Sequence, residues 1–131
     1  MKGVDTHVLV RYLTQDDRKQ ARAVDTLIAA TIEEGSRLRV DDIVLCELVW
    51  VLRHAYRFDR STIVATLDKV LSTSLFAFED REVLRQALDD YRAQDGDFAD
   101  HLVGRRNLRS GCESTATFDR ELARSASFTT L

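Results

Sequence analysis

The sequence predicts an α/β fold in which a parallel sheet carries helices on both faces. Three observations predict it. Short β-prone pieces alternate with longer segments of helical period, and aspartates stand where one gives way to the other. The 131 residues contain no proline, no Gly/Ser-rich linker and no repeat, so a single domain over residues 1–131 is the simplest organisation.

The elements follow in order. A strand over Lys2 to Val4 leads into helices over Thr6 to Thr14 and Arg18 to Glu33. A β-like piece at Arg37 to Val40 precedes a helix from Ile43 to Tyr56. Asp59 or Ser61 caps a helix over Arg60 to Ser72, followed by a strand at Leu75 to Phe78. Asp80 caps the next helix, which reaches Ala93 and places Val83, Leu84, Ala87, Leu88 and Tyr91 on one face. A helix over Phe98 to Arg109, a strand at Ser114 to Phe118, a short helix over Arg120 to Arg124 and a last strand at Phe128 to Leu131 complete the chain.

Composition narrows the function. Apolar residues make up 44% and charged residues 31%, the balance of a globular protein that buries one core. No apolar run approaches the roughly 20 residues that span a bilayer, and Met1 to Asp5 turns acidic too quickly for a signal peptide, so a cytoplasmic, membrane-free protein is expected. Cys46 and Cys112 read as small buried thiols rather than a disulfide. A net charge of −3 does not advertise a nucleic-acid binder. The nineteen basic residues nevertheless include only three lysines, and the arginine cluster Arg105, Arg106 and Arg109 suits either phosphate contact or a solvated helix face.

In parallel sheets ligands bind beyond the carboxyl ends of the strands, which directs attention to Asp5 and Asp119 at two strand-to-helix junctions. Glu47 stands inside the apolar stretch "IVLCELVWVL", where an ionised carboxylate asks for a cation, a tertiary arginine or an opening to water. In "GDFADHLV", Asp97 as N-cap puts Asp100 at the third helical position, and both gain from the helix dipole. Other chemistries recede. The five glycines are isolated, so there is neither a nucleophile elbow nor a phosphate loop, and His7, His54 and His101 lack zinc-motif spacing. A receiver domain needs an acidic pair after its first strand and a late lysine, and neither is present.

The blocks "VDTHVLVRYLTQDD", "CELVWVLRHAY", "DGDFADHLVGRRN" and "GCESTATFDRELAR", in this order, resemble the PIN-domain ribonucleases, specifically the VapC-type toxins of bacterial toxin–antitoxin pairs. The resemblance implies a three-layer α/β/α sandwich with a mostly parallel central sheet. It places the family's four acids on Asp5, Glu47, Asp100 and Asp119, as catalytic groups and ligands of Mg2+ or Mn2+. Thr117 matches the family's small hydroxyl residue, His7 stands where Asn or Ser is commoner, and Asp97 is a supporting residue. The implied reaction is metal-dependent hydrolysis of RNA, leaving a 5′-phosphate and a 3′-hydroxyl. Arg11, Arg53, Arg105, Arg106 and Arg109 are expected to guide the RNA. A homodimer and a VapB-like antitoxin are the implied partners. A silent PIN-like binding module would hold no metal, which the presence of all four acids disfavours, and a flap-type DNA nuclease would need insertions this chain lacks.

Overall fold

A computed structural model describes residues 1–131 as two compact units. The first comprises Met1–Arg57 with Ser72–Glu79, and the second Phe58–Leu71 with Asp80–Leu131.

The first unit is a parallel three-stranded sheet with three helices. Strands β1 (Lys2–Val4), β2 (Leu38–Val40) and β3 (Phe76–Ala77) lie in the order β1-β2-β3, with Val4 beside Val40 and Leu38 beside Phe76. Helices α1 (Thr6–Leu13), α2 (Arg18–Glu33) and α3 (Asp42–His54) begin at Asp5, Asp17 and Asp41, whose carboxylates accept the orphan N–H groups of Val8, Gln20 and Ile43. Their buried faces supply Leu9, Val10, Leu45, Leu48 and Leu52 to a core shared with Leu38, Val40 and Phe76. Complete burial of such side chains is worth about 1.5–3 kcal/mol each.

The second unit is built on α4 (Arg60–Ser72), α5 (Arg81–Ala93) and α6 (Phe98–Arg109). Asp59 accepts from the Thr62 N–H at 2.9 Å, which makes it, rather than Ser61, the cap of α4. Asp80 caps α5 through Val83 N–H, and the five residues predicted for the inner face of α5 are all buried. A two-stranded parallel sheet of β4 (Thr115–Thr117) and β5 (Phe128–Thr130) closes this unit. The expected single sheet is therefore two: β4 and β5 complete their ladder with each other, and strand pairing leaves no trace in one strand's own alternation. The predicted helix over Arg120 to Arg124 is a single 3-10 turn, Leu122–Arg124.

The cysteines form no disulfide, and with Cys46 half-buried and Cys112 exposed neither is the buried thiol expected. Cys112 follows Gly111, whose φ of +99° belongs to the turn that leaves α6 rather than to a strand. No helix is long and apolar enough to cross a membrane.

Candidate active site

In the first unit Asp5, Thr6, His7, Arg11, Glu47 and Tyr56 line a cavity of about 350 Å3. Asp5 reaches it because β1 ends there and the chain turns into α1, with Asp5 Oδ1 held at 3.1 Å by Val8 N–H and Oδ2 left over. Glu47 comes from α3. Leu45, Leu48, Val49 and Leu52 fill the buried side of that helix, whereas Ile43, Glu47, Trp50 and His54, four, three and four residues apart, form its exposed stripe. Of the alternatives open for Glu47, water is the one realised. Ile43 and Trp50 are 65% and 62% exposed, so the apolar run conceals an outer face. The single tertiary tie on Glu47 is the Thr6 hydroxyl, which donates to Oε2 at 2.9 Å. His7 is exposed on the cavity wall.

Arg11 lies in the same cavity but pairs with neither acid. Its Nε donates to Gln20 Oε1 at 2.5 Å, and its Nη1 to Asp16 Oδ1 at 2.7 Å and to the Tyr56 hydroxyl at 3.2 Å. Asp16 also accepts from Tyr56 at 2.8 Å and from Thr14 at 2.9 Å. The Tyr56 hydrogen bond, with Thr14 and then Arg11 behind it, holds the Asp16 carboxyl below the usual range, and the Tyr56 bond together with Asp16 raises Arg11.

The second unit carries the other two acids. Asp97 is the N-cap of α6, and Asp100 sends Oδ2 back to the Asp97 N–H at 3.2 Å, the reciprocal arm of a capping box. Asp119 Oδ1 accepts from Glu121 N–H at 2.8 Å and Leu122 N–H at 3.4 Å, while Thr117 Oγ1 accepts from the Asp119 N–H at 3.0 Å. Thr117 thus shapes the turn that presents Asp119. The loop before α6 is tied on two sides. Arg60, stacked 4.1 Å from the Tyr91 ring, donates to the carbonyls of Tyr91, Gln94 and Gly96, and His101 Nε2, fully buried, donates to Asp95 O at 2.8 Å. His101 is a core residue, and its Nδ1 has no partner.

Within neither unit do three or more His, Cys, Asp or Glu side chains gather as a metal-binding cluster. The arginines expected along the RNA differ in what they already hold. Arg105 is spent bidentately on Asp90 at 2.6 and 2.9 Å, which raises its pKa, and Arg109 lies 3.6 Å from both Asp80 and Glu82. Arg53 and Arg106 are exposed. Thr6, Asp16 and Tyr56 escaped the sequence reading, because nothing local signals that residue 6 meets residue 47 or that residue 16 meets residue 56.

In this α/β chain an acid that closes the first strand and a second acid from α3 line one cavity, a candidate carboxylate site for a cation. The PIN domain profile matches residues 3–127, and the chain belongs to the PIN domain family. It is 28% identical over 120 residues to a VapC ribonuclease of Aquifex aeolicus (strain VF5), a match that covers 92% of this chain and 88% of that protein.

Proposed function

We propose that the chain is a VapC-type ribonuclease toxin that hydrolyses RNA phosphodiester bonds, with residues 1–131 acting as one PIN domain. The observation that carries this reading is a cavity that both Asp5 and Glu47 line in a chain of the PIN family. The similarity to a VapC ribonuclease along most of both chains supports the choice of RNA.

The residues present fit Mg2+ or Mn2+. Asp5 and Glu47 are hard oxygen donors, each with one carboxylate oxygen without a protein partner, and the cavity of about 350 Å3 leaves room for retained waters. Mg2+ is commonly held through only one or two carboxylates plus water and phosphate. Asp5 and Glu47 would hold the ion, with Asp100 and Asp119 as the further ligands the family resemblance assigns. Bound there, a divalent ion supplies charge neutralisation at phosphate and a more acidic water.

The chain's own groups do the rest. Val8 N–H fixes the rotamer of Asp5, and Thr6 fixes that of Glu47, whose Oε1 would either hold the ion or orient the attacking water. The capping-box bond fixes Asp100, and Thr117 fixes the turn at Asp119. In-line attack would leave a 5′-phosphate and a 3′-hydroxyl. The reading includes a cytoplasmic location, a homodimer and an antitoxin of the VapB type that restrains the enzyme.

Expression of the wild type and of Asp5→Ala without an antitoxin, followed by mapping of RNA ends, tests the proposal. Growth arrest with newly formed 5′-phosphate ends for the wild type alone is the expected result. Identical RNA ends and growth for both would overturn it.

A further inference from the structure

We propose that Arg11 is a phosphate anchor, whose Nη2 donates to a non-bridging oxygen of an RNA phosphate beside the one that is cleaved. The inference rests on the RNA-cleaving reading above and adds to it a binding subsite and the device that keeps it open.

A guanidinium that shares a cavity with two carboxylates would ordinarily close onto one of them, since a bidentate Arg–carboxylate pair is the stronger kind of hydrogen bond. Arg11 does not, although Asp5 and Glu47 line the same cavity. Three tethers hold it elsewhere: Gln20 on Nε, and Asp16 and the Tyr56 hydroxyl on Nη1. Tyr56 also donates to the far oxygen of Asp16, at 2.8 Å, so tether and counter-charge brace each other. The Arg11 side chain is only 20% exposed, which removes the freedom that makes most surface arginines indifferent contacts.

What remains is Nη2, which has no partner in the protein. Arg105 also leaves one N–H2 group over beyond its two bonds to Asp90, but it does not line the cavity that holds Asp5 and Glu47. A tethered donor with an open N–H2 group, lining the cavity but bonded to neither of its carboxylates, suits an anion that arrives together with the cations those carboxylates attract. In a nuclease that anion is backbone phosphate, and phosphate contacts fix register without reading sequence. Asp16 makes the Arg11 site nearly neutral, so its contribution is directional hydrogen bonding as well as charge.

The test is equilibrium binding of a fluorescent single-stranded RNA to the full chain in EDTA, so that no strand is cut, across a salt series. Arg11→Met keeps the packed stem and removes the donors. It is expected to bind about tenfold more weakly at every sequence tried, with the slope of log K against log salt reduced by about 0.7. Tyr56→Phe removes one tether but no charge, and is expected to weaken binding about threefold with the slope unchanged. If Arg11→Met melts too low to assay, Tyr56→Phe carries the test. Wild-type affinity and slope in a folded Arg11→Met, or wild-type affinity in Tyr56→Phe when it is the only folded variant, would overturn the anchor. Cleavage by the wild type in Mg2+ is scored separately. RNA cut normally while Arg11→Met binds as wild type refutes the anchor alone. RNA never cut while the salt slope still falls in Arg11→Met refutes the nuclease and leaves the anchor.

Discussion

The two units treat their acids differently. In the first, Asp5 and Glu47 open onto a cavity and are steadied by one N–H and one hydroxyl, with a cation held nearby but apart. In the second, Asp100 and Asp119 each bind backbone N–H groups at the start of α6 and of the turn after β4. The cavity of about 510 Å3 in that unit is lined by Arg60, Ser61, Val64 and Asp68 and by none of the predicted acids. A carboxylate fixed by backbone serves local structure whether or not it also serves chemistry, so its role cannot be read from its immediate bonds. A carboxylate fixed by a hydroxyl 41 residues away has no local reason to be there.

The largest effect that would sharpen this contrast is loss of cleavage. Asp5→Asn and Asp100→Asn are each expected to lower the rate by about a hundredfold or more, as for other groups that stabilise charge in a transition state. Asn still accepts a capping hydrogen bond, so both proteins should melt within a few degrees of the wild type. Asp100→Ala adds the loss of the capping box, about 1 kcal/mol, which calorimetry would register. If Asp100→Asn cleaves normally, the second unit's acids are structural only.

Thr6→Val comes next. It removes the only tertiary tie on Glu47 without changing shape, and single-turnover cleavage should fall about tenfold, as for partners that orient metal ligands. Thr6→Ser should restore it, which a packing role for the methyl group would not predict.

A stability change without chemistry tests the second unit. A Cβ at Gly104 would stand 2.8 Å from Phe128 Cε2 and 3.2 Å from Ser127 Cβ, and Phe128 is buried, so Gly104→Ala should cost about 1–3 kcal/mol in denaturant unfolding.

The smallest effect is acidic. The Asp16 carboxyl is depressed in the folded chain, so its contribution is complete above the ordinary carboxylate pKa and disappears as pH falls through the lower folded value. The melting temperature of Asp16→Asn should therefore converge on that of the wild type as the pH drops below about 4. A gap that widens on acidification would contradict the assigned direction.

Much of this was legible in the sequence, and the failures have physical causes. Helices α2, α4 and α6 have the predicted bounds, because aspartate caps and apolar periodicity are local signals. The pairing of β4 with β5 is not local, and so the expected single sheet divides in two. Asp5 and Asp119 follow β1 and β4, as the alternation of elements predicts. Glu47 stands out as a charge inside an apolar run, but composition alone cannot choose among its open alternatives, because it does not say that Ile43 and Trp50 face outward beside it. The tethers on Arg11 join residues 5, 9 and 45 positions apart, and only the last encloses a cavity.

The central claim is that the cavity of the first unit performs the chemistry, and Glu47→Gln tests it most directly. The amide oxygen can still accept from Thr6, so geometry stays and only the charge is removed. RNA cleavage by purified Glu47→Gln in saturating Mg2+ is expected to fall by about a hundredfold or more, with an unchanged melting temperature. A folded Glu47→Gln that cuts RNA at the wild-type rate would contradict the account.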